Sequence, residues 1–118
     1  MKNLGVLDLI NNSKIEVCKP MGYVDFLKLA AGADKIVTDS GGVRREAYLL
    51  RKPCIVPIEI SWFPEISQAG WKVLTPPVAD RITDLVRNFE PTGPYVELFG
   101  DGKAHQKIAD GLVRKYGN

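Results

Sequence analysis

The sequence predicts an α/β fold, a Rossmann-like parallel sheet flanked by helices. Three observations point there. Short Val- and Ile-rich runs occur at residues 15–18, 35–38, 54–58 and 71–74. Their starts lie about 20 residues apart, too far for hairpins and right for strand–helix units. The intervening stretches carry apolar residues at helical spacing.

Taken in order, a weak opening helix is expected over residues 4–10, since Gly5 inside it costs ~1 kcal/mol relative to Ala. The run Ile15-Glu16-Val17-Cys18 reads as the first strand. Tyr23, Phe26, Leu27 and Ala30 then form a helical stripe that Gly32 can stop. After the second strand, Val43, Ala47 and Leu50 share a stripe on a helix that ends before Pro53. The third strand is Cys54-Ile55-Val56-Pro57-Ile58, and the fourth is Trp71-Lys72-Val73-Leu74. Pro76-Pro77 precedes a helix carrying Ile82, Leu85, Val86 and Phe89. A last helix runs from about Lys103 to Tyr116, with Ala104, Ile108, Leu112 and Val113, and Gly117 stops it. Such alternation predicts right-handed crossovers. A doubly wound domain has about five or six strands. This chain offers four, so it reads as a single partial Rossmann-like domain over 1–118.

With 118 residues the chain can bury one core, and 45% apolar with 25% charged residues exclude intrinsic disorder. A net charge of +2 is too balanced to argue for nucleic acid or an anionic membrane surface. No apolar run approaches the ~20 residues that span a bilayer, and Asp8 interrupts the N-terminal apolar stretch, which lacks a small-residue cleavage site. Cys18 and Cys54 are isolated thiols, expected to be inert in strands, and they point to a reducing, cytoplasmic setting. No metal-ligand spacing occurs, so neither a metal site nor a cofactor is expected.

The chemistry concentrates in residues 35–47, KIVTDSGGVRREA. An apolar strand ends at Thr38, a polar turn with two glycines follows, and a helix begins near Val43. Unpaired backbone N–H groups at such a helix start favour phosphate. Gly41 and Gly42 allow close backbone approach. Ser40 can cap the helix or give its hydroxyl to a phosphate oxygen. One turn on, the Glu46 carboxylate can accept from ribose hydroxyls. Arg44 and Arg45 could neutralise phosphate, against the helix dipole. The plain alternative is a capped helix with a glycine turn.

The same residues carry a family resemblance. Val37-Thr38-Asp39-Ser40-Gly41-Gly42-Val43 with Glu46-Ala47 resembles the signature of non-hydrolysing UDP-N-acetylglucosamine 2-epimerases. Further words of that family follow in order: Pro20-Met21-Gly22-Tyr23-Val24-Asp25-Phe26-Leu27, Lys52-Pro53, Pro64-Glu65 with Ala69-Gly70, and Gly100-Asp101-Gly102-Lys103-Ala104. The resemblance covers roughly residues 15–115. It implies a partial C-terminal domain of the B-type glycosyltransferase architecture, with its missing strands upstream. It implies a UDP or UDP-sugar ligand: Ser40, Gly41 and Gly42 at the diphosphate, Glu46 at the ribose and Phe26 beside the uracil. The implied reaction converts UDP-N-acetylglucosamine to UDP-N-acetylmannosamine by elimination and re-addition of UDP.

Departures from the family pattern fall after the third strand. The arginine position is Ile58, and a Thr-Glu pair is Ser61-Trp62. The resemblance implies acid/base carboxylates drawn from a first domain, so no catalytic residue is expected in this chain and it should be inactive alone. A non-catalytic subunit completed by a separate chain, or another B-type glycosyltransferase, are the alternatives. His105 reads as a surface residue, Glu65 as a first-turn acid and Glu59 as solvated. Trp62 and Phe63 read as core before base-stacking residues. An incomplete sheet exposes an edge and apolar faces, which predicts self-association, as a homodimer or with a chain supplying the first domain.

Overall fold

The computed structural model describes residues 5–59 and 63–117. Three parallel strands form the centre: β1 (Ile36–Val37), β2 (Cys54–Val56) and β3 (Lys72–Leu74), in the order β1-β2-β3. Helices surround and extend this sheet: α1 (Val6–Asn11), α2 (Tyr23–Ala31), α3 (Gly41–Leu49), α4 (Pro64–Gln68), α5 (Ala79–Asn88) and α6 (Ala104–Tyr116). The α/β class and the parallel sheet are as the sequence predicts.

Register places Cys54 between Ile36 and Lys72, and Ile55 between Val37 and Val73. Every residue of β2 is buried, so both faces of the central strand are covered. Its ladder ends at Val56 because Pro57 has no N–H to donate. Cys54 and Val56 pack with Ala47 of α3, and Ile36, Ile58 and Leu74 close around them. Against β2 also lies α5, whose Ile82 and Leu85 are half-buried.

An aromatic cluster ties the 93–99 segment to this core. Tyr95 stacks on Tyr48 at 4.9 Å, while Trp71 and Phe99 meet Tyr48 edge-on at 6.1 and 6.0 Å. Gly70 adopts φ +82°, and a Cβ there would occupy the position of the Thr92 hydroxyl.

Two expectations are corrected. Residues 15–18 form no strand: they make no ladder, and Ile15 and Val17 are exposed. Alternating β-branched residues give a strand only where an edge is there to pair with. Cys18 is accordingly exposed rather than packed in a strand. The second correction concerns apolar stripes. On α6, Ile108, Leu112 and Val113 face solvent, and neither α1 nor α6 buries a residue. These helices lie off the core, which the radius of gyration of 18.3 Å reflects. A compact chain of this length has about 13–14 Å. The opening helix starts at Val6 because Gly5 sits just outside it, with φ +66°.

Candidate functional site

The turn that follows β1 is held at both ends. The Thr38 amide donates to the Ile55 carbonyl at 3.0 Å, which fixes Thr38 to the sheet. The Thr38 hydroxyl accepts from the Ser40 amide at 3.1 Å. Ser40 is the N-cap of α3, and its hydroxyl accepts from the Val43 amide at 3.4 Å. The helix ladder begins where the Arg44 amide donates to the Ser40 carbonyl at 3.2 Å. The Gly41 and Gly42 amides come before that ladder and have no carbonyl one turn back. A Cβ on Gly42 would meet nothing within 4 Å, and one on Gly41 only the edge of the Phe63 ring at 4.0 Å. Packing within the described residues therefore does not require these two glycines.

Beside this helix start opens a cavity of about 410 Å³, lined by Met21, Tyr23, Phe26, Ser40, Gly42, Val43 and Glu46. Helix α2 supplies Tyr23 and Phe26, one turn apart on one face. Helix α3 supplies Glu46 one turn beyond Gly42. Four of the five predicted binding residues thus line one space. Gly41 lines an adjoining cavity of about 290 Å³ with Asp39, Arg44 and Ile58. Residues 39–42 alternate between the two: Ser40 and Gly42 face the larger, Asp39 and Gly41 the smaller.

Electrostatics around the larger cavity centre on Glu46. Hydrogen bonding to its carboxylate, then burial and repulsion from it, push the Tyr23 hydroxyl above its ordinary pKa. Tyr23, read from sequence as core, is exposed and stands at the rim.

The remaining candidates are spread out. Arg45 is exposed, with its guanidinium 5.0 Å from the centre of the Phe63 ring. Phe63 is half-buried and meets Phe99 edge-on at 6.2 Å. Glu65 sits in the first turn of α4, where an acid complements the dipole. Glu59 and His105 are exposed. Ser61 and Trp62 lie outside the described residues. Among the described residues no group of three His, Cys, Asp or Glu side chains could hold a metal ion. No helix among them is long and apolar enough to cross a membrane.

A larger space of about 730 Å³ opens at the other end of the sheet, where Lys35, Pro53 and Trp71 precede the three strands. Lys35 spans it, donating to the Val86 carbonyl at 2.8 Å and pairing with Glu90 at 3.3 Å. These contacts brace α5 against the sheet.

Sequence reasoning missed two buried cations, Arg44 and Lys72, which are 1% and 3% exposed. A signal for Arg44 existed: it lies three and four residues before Ala47 and Tyr48, the buried face of α3. For Lys72 there was none, because a strand side chain's surroundings depend on its neighbours in space.

A family model for UDP-N-acetylglucosamine 2-epimerase matches residues 3–113. The chain belongs to the UDP-N-acetylglucosamine 2-epimerase family. A UDP-N-acetylglucosamine 2-epimerase homolog of Methanococcus maripaludis is 33% identical over 103 residues, covering 86% of this chain and 29% of its own length. The structure of UDP-GlcNAc 2-epimerase from Methanocaldococcus jannaschii superposes with a TM-score of 0.82 at 30% identity. The match covers 93% of this chain and 31% of that one. The crystal structure of that enzyme in complex with UDP-GlcNAc and UDP matches at a TM-score of 0.78. The chain therefore spans about three tenths of the length of these epimerases.

Proposed function

We propose that this chain is the UDP-binding part of a UDP-N-acetylglucosamine 2-epimerase-like isomerase, with UDP seated in the larger cavity. The observation that carries this reading is the convergence of Phe26 from α2 with Ser40, Gly42 and Glu46 from α3 on one space. The uracil stacks beside Phe26, the ribose hydroxyls donate to Glu46, and the diphosphate lies over the amides of Gly41 and Gly42. A helix N-terminus suits phosphate through its free N–H groups and partial positive charge. Two glycines that packing does not require fit a backbone that a ligand approaches closely.

The reaction breaks the sugar C1–O bond and the C2–H bond, releasing UDP and leaving a glycal. UDP then adds back at C1 while C2 takes its proton on the opposite face. In that sequence this chain holds UDP as leaving group and nucleophile. The C2 proton needs an acid/base pair from elsewhere, since Glu46 is the only carboxylate lining the larger cavity among the described residues. We therefore expect no turnover from this chain by itself.

Completion by a second body fits the exposed apolar side chains of Ile108, Leu112 and Val113 on α6 and of Leu7 and Leu9 on α1. That body is a second copy or a chain carrying the catalytic half. The free thiols Cys18 and Cys54 favour a reducing compartment such as the cytoplasm.

Calorimetry with UDP tests the reading on the wild type and on Glu46→Ala. Binding is expected to be weak, because none of the described residues closes over the ligand. At least a fivefold loss is expected in the variant. Equal affinities would remove Glu46 from the site, and no heat with either protein would remove the nucleotide.

A further inference from the structure

Arg44 is among the largest fully buried side chains of the described residues. Its Nη2 donates to the Asp39 carbonyl at 3.1 Å. Its Nε and Nη1 are also buried, and neither has a hydrogen-bond partner among the described residues. A guanidinium stays charged at every physiological pH and carries five N–H donors. Leaving it buried with most donors unmet is far costlier than losing an ordinary hydrogen bond.

A second cation lies close by. Burial first, and then repulsion from Arg44, lower the pKa of the Lys72 ammonium. Lys72 donates to the Phe63 carbonyl at 3.0 Å, so it is held in place. Both cations are buried, and Arg44 lines a cavity of about 290 Å³ with Asp39, Gly41 and Ile58.

We propose that Arg44 holds an oxyanion of the nucleotide ligand in the Asp39–Gly41–Ile58 cavity, next to the space that takes the uridine. This rests on the reading that a uridine nucleotide fills the larger cavity. A phosphoryl oxygen and a sugar carboxylate offer Arg44 the same charge-assisted hydrogen bonds. The ligand class is thus a nucleotide or nucleotide sugar that is anionic beyond its first phosphate. Gly41, the first residue of α3, borders the same cavity, and a helix's first amides are free to donate to an anion.

The test compares wild type, Arg44→Gln and Arg44→Lys by calorimetry with pyrophosphate, UMP, UDP, UDP-glucose and UDP-glucuronate. UMP is expected to bind all three within twofold, because the uridine cavity is untouched. If the partner is the diphosphate, pyrophosphate and UDP weaken at least tenfold in Arg44→Gln and partly recover in Arg44→Lys. If it is a sugar carboxylate, UDP is unchanged and UDP-glucuronate alone falls to the affinity of UDP-glucose. Either pattern supports the proposal and names the source of the oxyanion. Should UMP bind none of the proteins while pyrophosphate still distinguishes them, the uridine reading falls and the anion site stands. Equal binding of every probe to wild type and Arg44→Gln would overturn the proposal. Where the variants do not fold, the Arg44 Nε–H resonance of the wild type decides: it should shift with pyrophosphate or glucuronate and stay put with uridine. A resonance indifferent to both anions would likewise overturn it.

Discussion

The Tyr48 hydroxyl donates to the Val96 carbonyl at 2.6 Å and accepts from the Val96 amide at 3.1 Å. One buried side chain of α3 thus anchors a segment 48 residues further along the chain. Residues 93–99 contain no regular element of their own. Their place comes from this pair of bonds and from the Tyr95 and Phe99 rings around Tyr48.

Tyr48→Phe keeps the ring stack and removes both hydrogen bonds. Each such bond contributes about 1 kcal/mol net, so the variant should lose about 1–2 kcal/mol of stability. Urea unfolding with an unchanged m-value checks this. A loss under 0.5 kcal/mol would show that water replaces the hydroxyl at Val96.

Gly70→Ala should cost more. The φ of +82° is strained for any L side chain, and the new methyl would meet the Thr92 hydroxyl and crowd the Gly93 amide at 3.0 Å. Both effects together predict at least ~2 kcal/mol. Gly42→Ala is the matched control, since its Cβ meets nothing. It should leave the midpoint nearly unchanged and weaken UDP binding if the diphosphate lies against that backbone.

Cys54 carries the clearest pH signature. Burial pushes its thiol up to about 11, although Lys72 and Arg44 pull the other way. An unfolded thiol ionises at about 8.5–9. Between those values the unfolded chain has lost a proton that the folded chain keeps, so stability falls as pH rises from about 9 to about 11. The full effect is about 2–3 kcal/mol. Lys72, whose pKa is lowered, contributes the opposite slope just below its ordinary value. The difference between wild type and Cys54→Val isolates the thiol. In the same protein, exposed Cys18 should react with iodoacetamide at pH 8 and Cys54 should not. Equal labelling rates would contradict the packing at β2.

Tyr23 and Glu46 can be tested through their own titration. Removing the acceptor in Glu46→Ala should return the Tyr23 hydroxyl to its ordinary range. Ultraviolet titration of the tyrosinate, with Tyr23→Phe to identify the signal, should show one transition moving to lower pH. An unmoved transition would separate the two side chains.

What the sequence determined by itself was local. The helix start after β1, the N-cap at Ser40 and a strand beginning at Cys54 follow from neighbours a few residues apart, although α3 begins at Gly41, two residues before the expected Val43, and β2 ends at Val56 rather than Ile58. Chirality and periodicity act at that range, so the turn at the end of β1 and the carboxylate one turn later were legible. The family words added the family. What only the tertiary structure decided depends on partners far along the chain. Residues 15–18 had the composition of a strand and found no edge. Ile108 and Leu112 had the spacing of a buried stripe and found no surface. Lys72 carried no local sign of burial and ended inside. Burial and pairing reward a residue only through what lies across from it in space, and no local pattern records that.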